Sequence, residues 1–206
     1  MKPILFSLLL CVPFTLRSPA VGGVGGQDAA PDGEGFIRDW LVFAPIPCEG
    51  SDNGANEIDQ DQLKGEAKLE PKAGDKIKAN GKEAAWTAHK TKDFYLDFKE
   101  SFGKDLSEDA IGWAFAYVHA EADLDVKLQV GSNDQCKAWV NGVQLVKNDE
   151  GRTLEKDQNT AGVTLKKGRN TVLLKVINEK NNWQGCLRFT DKTGGAIKAL
   201  KVSLVP

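Results

Sequence analysis

The sequence has few of the residues and motifs on which enzyme chemistry usually depends. Its 206 residues include two histidines, His89 and His119. The chain lacks a G-x-S-x-G nucleophile motif, an H-E-x-x-H zinc motif and a glycine-rich phosphate loop. Acids are plentiful, so two carboxylates suited to glycoside hydrolysis can always be chosen and their availability carries no information. The sequence therefore predicts a protein that is not an enzyme.

Long apolar runs are also scarce, and the one such run lies near the start of the chain. Residues 4–16 follow the basic Lys2 and precede the small residues Ser18 and Ala20. This order is typical of a secretory signal peptide that is cleaved after Ala20. The alternative, an uncleaved membrane anchor, is disfavoured because the run is too short to span a bilayer comfortably. We therefore expect residues 1–20 to be removed and the protein to be periplasmic or extracellular, without membrane insertion.

An excess of basic residues is absent as well. The formal net charge is −2, and removal of residues 1–20, which contain Lys2 and Arg17 but no acid, changes it to −4. Nucleic acids and anionic membranes attract basic surfaces, so neither is an expected partner. Residues 21–35 are rich in glycine, alanine and acids, which predicts a flexible leader. Residues 36–206 are long enough for one domain with its own core.

Cysteine is limited to three positions after the signal peptide: Cys48, Cys136 and Cys186. Export permits disulfides, but three cysteines allow one bridge and leave one thiol. A bridge between Cys136 and Cys186 would need a bulge, because Cys186 has the opposite parity to the apolar residues of its strand. Cys48, in a loop, could reach either of them. Three unpaired thiols are the other interpretation, and the sequence does not decide between them.

What the sequence does contain is strand periodicity. In residues 124–142, apolar and polar residues alternate on both sides of a polar turn at residues 132–135. Such alternation indicates strands with one buried face. Roughly ten short strands of this kind follow one another without a convincing helix of three turns, and Pro45 and Pro47 are expected to end the first strand. The pattern predicts an all-β fold, an antiparallel β-sandwich.

Several stretches resemble one known family in combination. A turn and strand at residues 131–142 (GSNDQCKAWVNG) are followed by the stretches at residues 165–170 (LKKGRN) and 173–176 (LLKV). Together they are similar to the galactose-binding-like jelly-roll domain, close to the sugar-binding domain of glycoside hydrolase family 2. The version carried by secreted proteins of planctomycete-type bacteria is especially similar. The resemblance implies a jelly-roll sandwich that is usually non-catalytic and that in many members binds carbohydrate and in some binds calcium.

The candidate ligand site is centred on Trp139, which by parity points away from the core together with Lys137 and Asn141. An exposed indole stacks on the C–H face of a sugar ring, and neighbouring polar groups bond the hydroxyls. The alternative is that Trp139 packs under a loop or against another layer. The predicted partners are a polysaccharide or another glycan, and the alternative function is a cell-surface structural or protein-interaction module. The full predicted set is Asp134, Lys137, Trp139, Asn141, Trp183 and Arg188.

A second candidate site lies in the polar loop at residues 48–61. The loop is rich in the oxygen ligands that hard cations prefer, although their spacing is not that of an EF-hand. The alternative is an ordinary solvated loop. No other cofactor is expected, and the predicted calcium ligands are Asp52, Asn53, Glu57 and Asp59.

Overall fold

The computed structural model describes residues 28–49, 54–102 and 108–206, and these form an all-β antiparallel sandwich, which confirms the predicted fold class. The signal-peptide prediction lies outside the described residues. No helix in the described ranges is long and apolar enough to cross a membrane. The strands are β1 (Asp39–Pro47), β2 (Lys76–Ala79), β3 (Lys82–Ala85), β4 (Thr87–Lys90), β5 (Leu96–Asp97), β6 (Ala110–Ala120), β7 (Leu124–Ser132), β8 (Cys136–Val140), β9 (Val143–Asn148), β10 (Asn159–Leu165), β11 (Gly168–Asn178), β12 (Gln184–Thr190) and β13 (Lys201–Ser203).

Two sheets form the sandwich. The large sheet has the order β4-β1-β6-β11-β8-β9, and β13 also pairs with β6. The small sheet has the order β10-β7-β12-β5. Within the described residues, short helical segments lie outside the sheets at α1 (Gly54–Glu57), a single 3-10 turn (Glu66–Lys68) and α2 (Phe98–Phe102). The edge strands β4 and β5 belong to different sheets. In the chain, β5 comes directly after β4 and leads directly into α2.

The first core lies between the two sheets. It consists of the inward residues that strand alternation places on one face, such as Val126, Leu128 and Val130 of β7. From the large sheet, Ala114, Ala116 and Val118 of β6 face the same core. Burial of these side chains supplies most of the driving force that holds the sheets together, at roughly 25 cal/mol for each Å² of apolar surface removed from water.

A second core lies on the opposite face of the large sheet. Trp113, Phe115 and Tyr117 of β6 are all at most 1% exposed there. They are covered by residues from the segment 54–86, which includes the hairpin of β2 and β3 and contributes Ile58, Leu63, Ala79 and Trp86. We call the segment 54–86 the covering segment. Its presence explains why β6 is apolar on both faces, as expected for a strand that is buried on both sides.

The first strand does not end where its prolines predict. β1 continues to Pro47, and its pairing with β6 is interrupted by a register shift between Phe43 and Ile46. A bulge of this kind leaves one strand locally unpaired, so Pro45 lies where no amide donor is required. The peptide bond before Pro45 is cis.

The predicted flexible leader overlaps the described chain at residues 28–35, where several contacts join the backbone to the domain. Ala29 forms a β-bridge with Val202. The Asp32 side chain accepts hydrogen bonds from the amides of Glu34 and Phe36, and it also pairs with Arg38 at 3.2 Å. Polar side chains that bond the local backbone order a segment that has little apolar surface to bury.

Candidate functional site

Trp139 does not provide the exposed indole that the sequence predicts. Its side chain points away from the first core, as parity requires, but the residue is only 6% exposed and belongs to the second core. The covering segment occupies the position where a sugar ring would have to stack. The position of Trp139 matches the alternative interpretation, in which the tryptophan packs under a loop or against another layer.

The two residues expected beside Trp139 both bond to the protein, although Asn141 is exposed. Lys137 on β8 is 7% exposed, and its Nζ lies 2.8 Å from a carboxylate oxygen of Asp59 in the covering segment. Asn141 has a positive φ of 51° and fastens its turn. Its amide nitrogen donates to Asn170, and its oxygen accepts from the backbone amide of Thr171.

Asp134 is likewise a turn residue. It has a φ of 57° and is 9% exposed. Its two carboxylate oxygens accept from the backbone amides of Arg152 and Glu179, at 3.2 and 3.3 Å. Burial is the largest cause of a raised Asp134 pKa, with the nearby Glu179 carboxylate adding to it. The carboxylate therefore joins three loops at one end of the sandwich.

Trp183 and Arg188 are structural as well. Trp183 is completely buried in the first core, where its ring stacks on Phe98 with a centroid distance of 4.8 Å. Arg188 forms an ion pair with Asp157 and donates to the backbone oxygen of Glu34. Trp139 and Trp183 thus belong to different cores on opposite faces of the large sheet, and the six predicted residues do not form one site.

Of the four predicted calcium ligands, the two within the described residues, Glu57 and Asp59, bond to different parts of the protein. Asp52 and Asn53 lie outside the described residues. Glu57 accepts from the backbone amide of Glu49 and from the side chain of Gln62, whereas Asp59 pairs with Lys137 and Lys147. Across the described ranges, no group of three or more His, Cys, Asp or Glu side chains is arranged to hold a metal ion.

The oxygen atoms of this loop instead surround an internal lysine. Lys175 of β11 is completely buried, and its Nζ lies 2.8 Å from the backbone oxygen of Gln60 and 3.3 Å from a carboxylate oxygen of Glu66. It also contacts the side-chain oxygen of Gln62. Burial lowers the Lys175 pKa and raises the Glu66 pKa, because each charge loses water, while their mutual attraction opposes both shifts. A lysine ammonium therefore occupies the centre of the oxygen-rich segment.

The three cysteines are free, and burial keeps them protonated. Burial raises the pKa of Cys48 and of Cys186 to about 12, and it also raises that of Cys136. A thiol must ionise to act as a nucleophile or a metal ligand. At neutral pH these side chains therefore pack as small apolar groups.

A cleft that the sequence did not predict lies at the seam between the two sheets, where edge strands β4 and β5 approach each other. It encloses about 170 Å³. The whole lining comes from one short stretch of chain that runs from β4 through β5 into α2. We call it the seam cleft, and its lining residues are His89, Thr91, Lys92, Asp93, Tyr95, Asp97 and Glu100.

The walls of the seam cleft are fixed by contacts to the rest of the domain. Arg38, directly before β1, donates to the Thr91 hydroxyl at 2.7 Å and to the Thr91 backbone oxygen at 2.9 Å. Asp97 accepts from the Lys99 amide and from the Gln184 side chain of β12. These bonds tie the cleft to both sheets, so its shape is largely set before any ligand enters.

The seam cleft combines an aromatic ring with several polar groups. Tyr95 is half-buried, and its ring contacts that of Phe94 at a centroid distance of 5.1 Å. The His89 Nδ1 lies 3.1 Å from the Ser101 hydroxyl, which connects β4 to α2. Burial lowers the His89 pKa, which favours the neutral imidazole at physiological pH. At the rim, Lys92 and Glu100 form an exposed ion pair at 3.4 Å.

Two other clefts have no aromatic lining. One, of about 260 Å³, lies between the covering segment and the Asn141 turn, and an ion pair between Arg169 and Glu70 lies beside it. The other, of about 470 Å³, lies beside β7 and β10 and is lined by residues of both strands and by Lys192. Of the three, only the seam cleft offers both a ring face and hydrogen-bonding groups.

Several solved structures are similar to this chain at a low level, with TM-scores below 0.5. A β-glucosidase from Kluyveromyces marxianus gives a TM-score of 0.43 at 10% identity, with 59% of this chain and 16% of the enzyme covered. A family 31 α-xylosidase from Xanthomonas citri gives 0.38 at 12% identity, covering 60% and 14%. The PA14 domain of the antifreeze protein MpAFP gives 0.43 at 9% identity, covering 86% and 95%.

This chain spans less than a fifth of the length of either enzyme. No protein-family profile matches the sequence, and no curated protein is similar to it. Any function of this chain must therefore be inferred from its own residues, since a shared fold does not imply a shared function.

The sequence did contain a signal for the seam cleft. In residues 94–98 (FYLDF), Phe94, Leu96 and Phe98 share one face, which places Tyr95 and Asp97 on the other. This is the same outward parity that singled out Trp139. The seam cleft also includes His89, which lies on β4 in the other sheet. Alternation within one strand carries no information about which other strands lie close to it.

Proposed function

We propose that this protein is a secreted, non-catalytic carbohydrate-binding β-sandwich that takes its sugar in the seam cleft. The observation that carries the proposal is the position of Tyr95, a half-buried ring in a pre-formed cleft lined otherwise by polar side chains. The proposal keeps the sugar chemistry suggested by the family resemblance and moves the site away from Trp139.

Sugar recognition needs an apolar surface and directed hydrogen bonds at the same place. A tyrosine ring supplies the apolar surface for the C–H face of a pyranose. Carboxylates such as Asp93 and Glu100 accept hydrogen bonds from hydroxyls, while Lys92 donates them. The neutral His89 can bond a hydroxyl without the cost of burying a charge. The seam cleft therefore supports reversible binding of a polar, ring-shaped ligand.

A glycan array tests this proposal when it is probed with the wild-type protein, Tyr95→Ala and Val143→Ala. Val143 is 58% exposed on β9 and is not among the residues of the seam cleft, so its variant is the matched control. Wild type and Val143→Ala should bind the same glycans, and Tyr95→Ala should bind them about tenfold more weakly, because an aromatic contact contributes about 1.5 kcal/mol. Absence of wild-type binding, or equal binding by all three proteins, would contradict the site. Release of free sugar from a bound glycan would contradict the non-catalytic part.

A further inference from the structure

The seam cleft is enclosed by one continuous stretch of chain. Residues 89–100 leave the large sheet at β4, turn, enter the small sheet at β5 and continue into α2. The lining therefore comes from a single segment of the chain. A groove that accommodates a passing polymer is usually built from separate strands or loops, with an open path between them at both ends.

The cleft is also small. Its volume of about 170 Å³ is below the range of about 300–1,000 Å³ that is typical of sites for drug-sized ligands. Two or more linked sugar rings would exceed it. A single ring is the largest part of a glycan that the walls can enclose.

The walls resist widening. Thr91 is 5% exposed and is held by two bonds from Arg38, while its own hydroxyl donates to the backbone oxygen of Asp93. Across the cleft, Asp97 is held by Gln184 at 3.2 Å, and His89 is joined to Ser101. Opening a path for a second ring would break several of these bonds, at a cost of about 1 kcal/mol each.

We infer that the seam cleft recognises a single terminal sugar ring at the end of a glycan chain, and not the interior of a polysaccharide. This inference rests on the proposed function and specifies its ligand class. An interior ring carries neighbours on two sides and needs two exits, whereas a terminal ring carries one neighbour and needs one. Lys92 and Glu100 are exposed residues of the lining, so we place the exit of the next ring on their side of the cleft.

The test uses oligosaccharide series of one to six units, taken from the polymers that bind in the glycan array, with affinity measured by titration calorimetry. A terminal-ring site should give affinities that agree within about twofold from two units to six. In a competition assay at equal mass, the dimer should displace a fluorescent glycan far better than the polymer, because it contains more chain ends. An affinity that rises tenfold or more between two and six units would overturn the inference while leaving sugar binding intact. Failure of every series and of the array would instead remove the proposed function.

A variant strengthens the distinction. Lys92→Ala removes half of the rim ion pair, and both residues are well exposed, so the fold should not change. Lys92 lines the cleft, so the variant can weaken binding, but for a terminal-ring site it should weaken binding of the two-unit and the six-unit oligosaccharide by the same factor, within about twofold. A chain-length dependence that is present in wild type and lost in Lys92→Ala would show that Lys92 contacts further sugar rings, which also overturns the inference.

Discussion

Trp139 and Tyr95 obey the same sequence rule and have opposite environments. Each is an aromatic residue that strand alternation places on the side away from the first core. Trp139 lies on β8, where the covering segment reduces its exposure to 6%. Tyr95 precedes the edge strand β5, and its ring lines the seam cleft. Alternation therefore specifies the face of a strand, while accessibility depends on what the rest of the chain places over that face.

The largest expected difference between the two residues is in stability. Trp139→Ala should lower the free energy of unfolding by about 3–5 kcal/mol, because it leaves a cavity beneath the covering segment. Tyr95→Ala should lower it by about 1 kcal/mol or less, because the ring is already partly solvated. Urea denaturation followed by tryptophan fluorescence measures both values. Equal losses for the two variants would remove the distinction drawn between the buried and the accessible ring.

The buried ammonium of Lys175 bonds to Gln60 and Glu66 and so holds the covering segment on the large sheet. The variant Lys175→Met tests how much this contact contributes to stability. Removal of the ammonium leaves the Glu66 carboxylate without its cation in a site that is 5% exposed. The expected loss is about 3 kcal/mol, the lower end for breaking a buried ion pair, because Gln60 and its neighbours can turn toward water. Hydrogen exchange should become faster in residues 54–86 and stay unchanged at β7.

The double variant Lys175→Met, Glu66→Gln is the control for that prediction. It removes both charges and keeps an amide close to the Trp113 indole, which donates to Glu66 at 3.0 Å. Much of the lost stability should return, because a neutral amide costs less to bury than a lone carboxylate. A double variant that is as unstable as Lys175→Met would show that the unpaired Glu66 carboxylate is not the cause of the lost stability.

The fold was largely predictable from the sequence, because its strands and turns are specified by patterns among consecutive residues. Alternation in β7, β8 and β11 can be recognised in a few consecutive residues, and so can the turn at Asn141, whose positive φ suits Asn-Gly. Both faces of β6 are apolar in its sequence, and the strand is buried on both sides. These features depend on neighbours in sequence, which is the information that a sequence pattern contains.

The candidate site was not predictable to the same degree, because it depends on contacts between distant residues. The covering segment contains few apolar residues, so its sequence reads as edges and turns, yet Ile58, Leu63 and Trp86 suffice to close the second core. The oxygen-rich loop suggested calcium because its partners Lys175, Lys137 and Lys147 lie 78 or more positions away from Asp59 and Gln60 in the chain. Charge complementarity over such distances has no periodic signature.

The expected changes in the free energy of ligand binding are smaller than these changes in the free energy of unfolding. Tyr95→Phe retains the ring face and removes the hydroxyl, so it should keep most of the affinity that Tyr95→Ala loses. Trp139→Phe, which preserves a ring in the second core, should leave sugar affinity unchanged within about twofold. Calorimetry with a ligand from the glycan array measures both. A larger loss of affinity in Trp139→Phe than in Tyr95→Ala would place the ligand on the large sheet and contradict the seam cleft.

The smallest effect concerns the surface edge of the covering segment, where Asp59 joins it to the large sheet. Hydrogen bonds from Lys137 and then Lys147 lower the Asp59 pKa from 3.8 to about 2. A carboxylate whose pKa is lower in the folded state stabilises the fold above its unfolded pKa, and this contribution is lost as the pH falls from about 4 to about 2. Asp59 is largely exposed, so the contribution should be about 0.2–1 kcal/mol and should shrink in high salt.

Asp59→Asn isolates this contribution from the other acids. At pH 6 the variant should be less stable than wild type by that small amount, and the difference should shrink as the pH falls toward 2, where about half of the wild-type carboxylate is protonated. Lys92→Ala, which breaks an exposed ion pair far from the covering segment, is the matched control and should change stability by less than about 0.5 kcal/mol throughout. A difference between Asp59→Asn and wild type that persists unchanged at pH 2 would mean that the side chain contributes through packing. In that case the edge of the covering segment would be held mainly by packing, as is its contact with the second core around Trp139.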